Sequence, residues 1–473
     1  MEKSQKGISK IGLIALVISS SIGGGIFSIT SDLAVSSAPG PAMIAWIIVG
    51  IGVLTLVLSL NNLAAKRPDL DSGIFGYAEA TFGKLGGFIS GWGYWLGAWL
   101  GNVAFATILM IALSTFFPIF GTGQNIPSII MGSIVIWTLT LLVSKGMESA
   151  SFINIIVTIC KLVPLFVFLI ITLVSFKAGV FTAHFWENVS TNLSQNNPDS
   201  ASVFAQIKGC LIVMMWVFVG IEGASILANR AEKRSDAQQA TIVGLLGLLF
   251  IYILASLLPY GVLSQTELAS LSQPAMANIL KAIVGDWGAA FINIGLIISI
   301  IGSWLSWTML PAETVLLMAR DGLLPKRWGR LNAKKAPIYS LVLTAALANL
   351  FLLTLLVTDY AYQLAYSLAT SAILICYLLV GVYQMKYSYE QKDPKQFIIG
   401  SIATAFQLFA IVLAGFSYIL MCSIAYIPGF YFYMKARKEN DHPISKKEKI
   451  TMSLIISMGV IAIVLMATGS IQV

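Results

Sequence analysis

Apolar stretches of about 20 residues, the length that crosses a bilayer, recur from one end of this chain to the other. They fall near 11–38, 42–64, 85–117, 127–144, 149–175, 204–229, 239–264, 286–319, 337–358, 360–384, 396–416, 418–434 and 450–470. Thirteen candidate spans leave no room for a soluble domain. Composition agrees: 57% of the 473 residues are hydrophobic and 11% are charged, against about 25% charged in a soluble protein. The chain reads as an all-α integral membrane protein. A disordered chain, a coiled coil and a nucleic-acid partner are excluded, because the net charge of +8 is explained by where the cations fall.

With the N-terminus in the cytoplasm, alternation puts nearly every Lys and Arg inside, including the runs Arg320–Lys335 and Lys435–Lys449. The outer segments then hold Lys177 and Lys281, while Lys161 and Lys208 lie in or at the edge of spans. This is the positive-inside pattern. An odd count places the C-terminal tail, 469–473, outside. A tight turn near Gly415–Ser417 is required to separate the eleventh and twelfth spans. The Arg320–Lys335 cluster reads as a topology anchor facing anionic lipid. The first span is too long, and too rich in central glycine, for a signal peptide. Two Asn-x-Ser matches, at Asn188 and Asn192, lie in the longest outer loop, 177–203.

Cys160, Cys210, Cys376 and Cys422 stand in apolar runs at unpatterned spacings and read as buried hydrophobes. With His184 and His442 as the only histidines, no metal site and no cofactor are expected. No P-loop, HExxH or nucleophile–His set argues for an enzyme, and no filter-like loop or acidic ring argues for a channel.

Two spans are interrupted. The first carries Ser19-Ser20-Ser21-Ile22-Gly23-Gly24-Gly25-Ile26-Phe27, and the sixth carries Trp216-Val217-Phe218-Val219-Gly220-Ile221-Glu222-Gly223. Glycine costs about 1 kcal/mol relative to alanine inside a helix. Irregular backbone at this depth persists only where it lines a cavity or is covered by protein. Breaks in the first helix of each of two five-span blocks point to an inverted-repeat transporter with its site at the breaks. Freed N–H groups there suit a carboxylate and freed carbonyls an ammonium, so an amino acid fits. The blocks divide the chain into 1–176, 177–384 and an accessory region 385–473. In the third span, Gly93, Gly97 and Gly101 form a small-residue stripe that reads as helix contact.

Over spans 1–12 the sequence resembles the amino acid–polyamine–organocation superfamily, whose fold is the LeuT-like five-plus-five inverted repeat. Within it, the chain is most similar to the basic amino acid/polyamine antiporters, arginine/ornithine branch. The resemblance implies exchange of a cationic amino acid for a related amino acid or amine at a cell membrane. Exchange of an amino acid for its decarboxylation product, such as histidine/histamine, and proton-coupled symport are the alternatives. It also implies site roles. Ile22, Gly23, Gly24 and Gly25 match the carboxylate-binding break, and Trp216 and Val219 the break whose carbonyls take the α-amine. Gly97, Ala98 and Asn102 match the pocket for the cationic end, Trp307 the aromatic that stacks on it, and Ser367 a polar contact. Trp216 also matches an outer gate ring and Tyr94 a pathway aromatic. Gly24 replaces a serine of the arginine/agmatine exchanger. Glu222 matches a position linked to proton sensing or coupling. Lys161 matches a lysine that replaces bound sodium, with a structural cross-link to span 1 as the other reading. Glu313, two turns beyond Trp307, pairs with an inner-loop base or lines the inner exit. Asp32 reads as interfacial. The expected partners are small amino acids or amines and the lipid bilayer; a homodimer is left open.

Overall fold

The computed structural model describes residues 7–70, 72–186, 202–356 and 361–468. Among the described residues the architecture is all-helical, with one short backbone pairing between Ile8 and Ala231. The helices are α1 (Lys10–Ser21), α2 (Gly25–Ser36), α3 (Pro39–Lys66), α4 (Ile74–Ser114), α5 (Ile126–Ser144) and α6 (Met147–Val174). There follow α7 (Ala178–Ala183), α8 (Val203–Trp216), α9 (Gly223–Ile226), α10 (Arg234–Leu257), α11 (Gln265–Ser270) and α12 (Ala275–Val284). The last six are α13 (Asp286–Arg320), α14 (Ile338–Leu352), α15 (Ala361–Glu390), α16 (Pro394–Ala414), α17 (Phe416–Glu439) and α18 (Lys446–Ala467).

Among the described residues, 11 helices are long and apolar enough to cross a membrane, and 12 when α1 and α2, bent by 42°, count as one span. The remaining span of the thirteen read from hydropathy is the sixth, which is broken as its sequence indicates and so is not counted by unbroken length. Residues 203–226 form the 14-residue α8, six turn residues and the four-residue α9. No single piece is long enough to cross.

Local chemistry sets the helix ends. Asn125 caps α5 by accepting from the Ser128 N–H, with Pro127 in the first turn. Ser445 and Glu448 close a capping box on α18. Gly415, at φ +99, makes the tight turn between α16 and α17 that the sequence requires. α4 bends at Gly83 (φ +74), so its first turns lie apart from the third span.

The broken α1 is enclosed by α6, α10 and α13, and α2 by α8, α11 and α12. That enclosure supplies the protein cover that unwound backbone needs at this depth. α13 packs on α1, α4 and α6, which brings its Ser299 and Ser303 to the α1–α2 break. At the periphery α18 packs on α17 and buries little else.

All four cysteines are free. Cys210, Cys376 and Cys422 are buried as expected, but Cys160 is exposed. Its helix α6 turns Lys161 inward, which leaves the preceding residue on the outer face. Asn188 and Asn192 lie outside the described residues.

Candidate substrate site at the two broken spans

Three residues separate α1 from α2, and six separate α8 from α9. The two gaps meet. Gly220 adopts φ +106, and a Cβ built there would lie 2.9 Å from Ser20 backbone and side-chain atoms. Both the positive φ and the close approach require glycine. The Ser20 hydroxyl is 2.7 Å from the Gly220 carbonyl and 2.7 Å from that of Leu16, and donates to one at a time.

Unwinding frees carbonyls at the end of α1, and side chains from three other helices take them up. The buried Lys161 ammonium of α6 donates to Ser19 O (3.1 Å), Ile22 O (2.7 Å) and the Ser303 hydroxyl (3.1 Å). Ser303, from α13, holds one proton with Ser19 O at 2.8 Å and Ile22 O at 2.7 Å. Ser299 reaches Ile22 O and Gly23 O at 3.2 Å. The Tyr252 hydroxyl of α10 donates to Ser21 O at 2.8 Å, and the Trp307 indole N–H to Ser20 O at 2.9 Å. The carbonyls of residues 19–23 are therefore all within reach of a donor. Among the described residues no carboxylate stands within ion-pair distance of Lys161; the carbonyl-rich end of α1 carries its counter-dipole.

The N–H groups behave oppositely. Those of Gly24, Gly25 and Ile26, at the start of α2, have no acceptor among the described residues. On the other break, the Val217 and Val219 carbonyls have no described donor. Gly24, Gly25, Val217 and Val219 all line one cavity. Ser20, Ser21, Gly23, Gly97, Gly101, Phe105, Ile108, Trp307, Ala369 and Ile373 complete its wall. No charged side chain belongs to that wall among the described residues.

Gly23, Gly24, Gly25, Gly97, Val219 and Trp307, singled out from sequence, thus border one space. Ile22 is buried and contributes its carbonyl to Lys161. Ala98 is fully buried and does not border the cavity. Asn102 does not border it either. It lines a smaller cavity behind α13 with Thr140, Thr308 and Thr344, and its amide N–H donates to the Trp307 carbonyl at 3.2 Å. Asn102 directly follows Gly101, and with 3.6 residues per turn its side chain points about 100° away from the face that Gly97 and Gly101 share. The side chains of Trp216 and Ser367 lie outside the described ones. Trp307 stacks on Tyr94, with centroids 5.8 Å apart and planes at 29°.

Glu222 ends the second break at the start of α9, fully buried and outside the cavity wall. It accepts from the Tyr377 hydroxyl, which itself accepts from the Gly220 N–H at 3.2 Å. The Tyr94 hydroxyl stands near the same carboxylate without a hydrogen bond of normal geometry. Sequence reading missed Tyr377, although a tyrosine in a span facing a buried acid was the available signal. It also missed Phe105 and Ile108, one and two turns beyond Gly101. Glu313 pairs with Arg230 at 2.7 Å, and Arg230 also donates to the Lys335 carbonyl. Beside this pair, Ile8 exchanges backbone bonds with Arg230 (2.7 Å) and Glu232 (3.0 Å). Asp32, remote from the cavity, accepts from Gln273 at 2.9 Å.

The amino acid permease family profile matches residues 8–423 of the chain. This chain is a member of that family. An arginine/ornithine antiporter of Latilactobacillus sakei is 57% identical to it over 100% of this chain and 99% of the relative. The arginine/ornithine antiporter ArcD1 of Lactococcus lactis subsp. cremoris is 46% identical, over 98% of this chain and 90% of its own. An arginine/agmatine antiporter of Chlamydia felis is 38% identical over 99% of each. The permease is therefore a multi-pass membrane transporter, not an enzyme.

Proposed function

We propose that this permease exchanges a cationic amino acid for a related amino acid or amine, with arginine and ornithine as the pair. The observation that carries the reading is the pairing of N–H groups at Gly24 and Gly25 with carbonyls at Val217 and Val219, none of them bonded among the described residues, around one cavity. An α-amino acid brings a carboxylate and an ammonium on one carbon, and these two backbone ends suit them. Its side-chain cation then meets the indole of Trp307 and the backbone near Gly97, a contact worth about 0.5–2 kcal/mol when it is cation–π. Antiporter relatives at 38–57% identity over the full length support the same chemistry.

The proposal includes two inverted repeats, 1–176 and 177–384, with 385–473 accessory. The bundle carrying the breaks rocks against the scaffold so that one site faces each side in turn. Lys161 stands as a fixed ammonium between α6 and the end of α1, which makes transport independent of sodium. The membrane is the cell membrane, with the N-terminus cytoplasmic and the C-terminus outside, as the charge asymmetry favours. Glu222, a buried acid bonded to Tyr377 at the second break, favours a second reading, proton-coupled uptake.

Proteoliposomes loaded with arginine, ornithine, lysine, histidine or the matching amines decide between these. Exchange predicts that internal ornithine accelerates arginine uptake without a pH gradient. Uptake that needs a proton gradient and ignores internal substrate selects the second reading, and neither behaviour defeats both.

A further inference from the structure

One face of α4 borders the cavity, and its residues differ in what lies in front of them. Gly101, Phe105 and Ile108 are half-buried while the residues between them are buried, so their open side is the cavity itself. A Cβ on Gly97 would sit 2.8 Å from the Ala369 carbonyl oxygen, so glycine there serves the contact with α15. Gly93 is tighter, with a Cβ position 2.4 Å from the Tyr426 hydroxyl. A Cβ on Gly101 meets nothing within 4 Å. The three-glycine stripe is thus two packing glycines followed by one that forms open wall.

Helical rise puts Gly101 about 6 Å from both Gly97 and Phe105 along the axis. The Phe105 ring closes one end, 3.2 Å from a Cβ built on Gly23. Resting on the exchange reading above, a substrate held by its carboxylate near Gly24 and its cation near Gly97 runs its aliphatic stem past Gly101. With both ends held, extra stem length is taken up by bowing sideways, and the space at Gly101 lies at mid-stem.

We propose that Gly101 sets the length tolerance of the site, allowing one cavity to hold both the shorter and the longer cationic amino acid of the exchange. The test is inhibition of labelled ornithine uptake by 2,4-diaminobutyrate, ornithine, lysine and arginine, in proteoliposomes of wild type and Gly101→Ala. One methyl in a fitted pocket is worth roughly tenfold or more. The half-inhibitory concentration of arginine is expected to rise by about that factor, that of lysine by less, and those of the two shorter compounds to stay within about twofold. A shift equal at all lengths, or none, overturns the proposal. Gly101→Ser serves as a second variant with the same expected ranking. Failure of both to fold also overturns it, because a side chain there should touch nothing. Wild-type vesicles that exchange neither arginine nor ornithine overturn the functional reading itself. Wild-type exchange with a length-blind Gly101→Ala defeats only this proposal.

Discussion

The Ser20 hydroxyl and the Gly220 carbonyl lie 2.7 Å apart although 200 positions separate them in the chain. The bond ties the unwound end of α1 to the unwound turn after α8, so each break is held by the other. Gly220 sits at φ +106 with its α-hydrogen against Ser20. Gly220→Ala therefore incurs both backbone strain and a clash, and loss of folded protein on detergent size exclusion is expected. Ser20→Ala removes one hydrogen bond, about 0.5–1.5 kcal/mol, and should leave a folded protein with a lower Tm. A Gly220→Ala protein as stable as wild type would contradict the contact.

Lys161 donates to two main-chain carbonyls and one hydroxyl in a site with no water exposure. Lys161→Met leaves those acceptors short of a donor, at about 1–3 kcal/mol for each buried group unsatisfied. A marked fall in Tm and in uptake is expected. Stability alone does not separate a cross-link from a surrogate for a bound cation. Lys161→Ala in graded NaCl does: uptake rescued by sodium but not by potassium supports the surrogate, and equal responses to the two salts support the cross-link.

Trp307 has two tasks on different atoms. Its ring borders the cavity and its N–H holds Ser20 O at 2.9 Å. Trp307→Leu loses both and should weaken arginine binding by about 0.5–2 kcal/mol for the lost ring face, with a further loss of stability. Trp307→Phe keeps a face and loses the donor, so its affinity should fall less while its Tm falls similarly. Calorimetric titration with arginine separates the two. Unchanged affinity in Trp307→Leu would remove the indole from the site.

The Arg230–Glu313 pair is 2.7 Å long with side chains 13% and 2% exposed. Removing one partner of such a pair strands a buried charge, at about 3–5 kcal/mol. Arg230→Gln and Glu313→Gln should each lower Tm strongly. The double substitution should recover part of the loss, because it leaves no charge stranded. Additive losses in that cycle would show that the two side chains act independently.

Much of this architecture was legible without coordinates. Apolar runs, charge asymmetry and Gly415 located the spans and the tight turn, because each depends on residues adjacent in sequence. The glycine run at 23–25 and the Gly220–Glu222 stretch located both breaks for the same reason.

The side of each helix that meets the cavity was settled by packing. Gly97 and Asn102 lie in one run of α4, yet one borders the cavity and the other lies behind Trp307, because α13 and α15 cover different sectors of that helix. Tyr377 and Glu222 meet across 155 positions, and Arg230 and Glu313 across 83. Local composition determined where this chain crosses the bilayer and where it comes unwound, since both are properties of a single segment. Which freed backbone groups are satisfied and which stay open to a ligand was decided by the tertiary structure alone, since their partners arrive on distant helices.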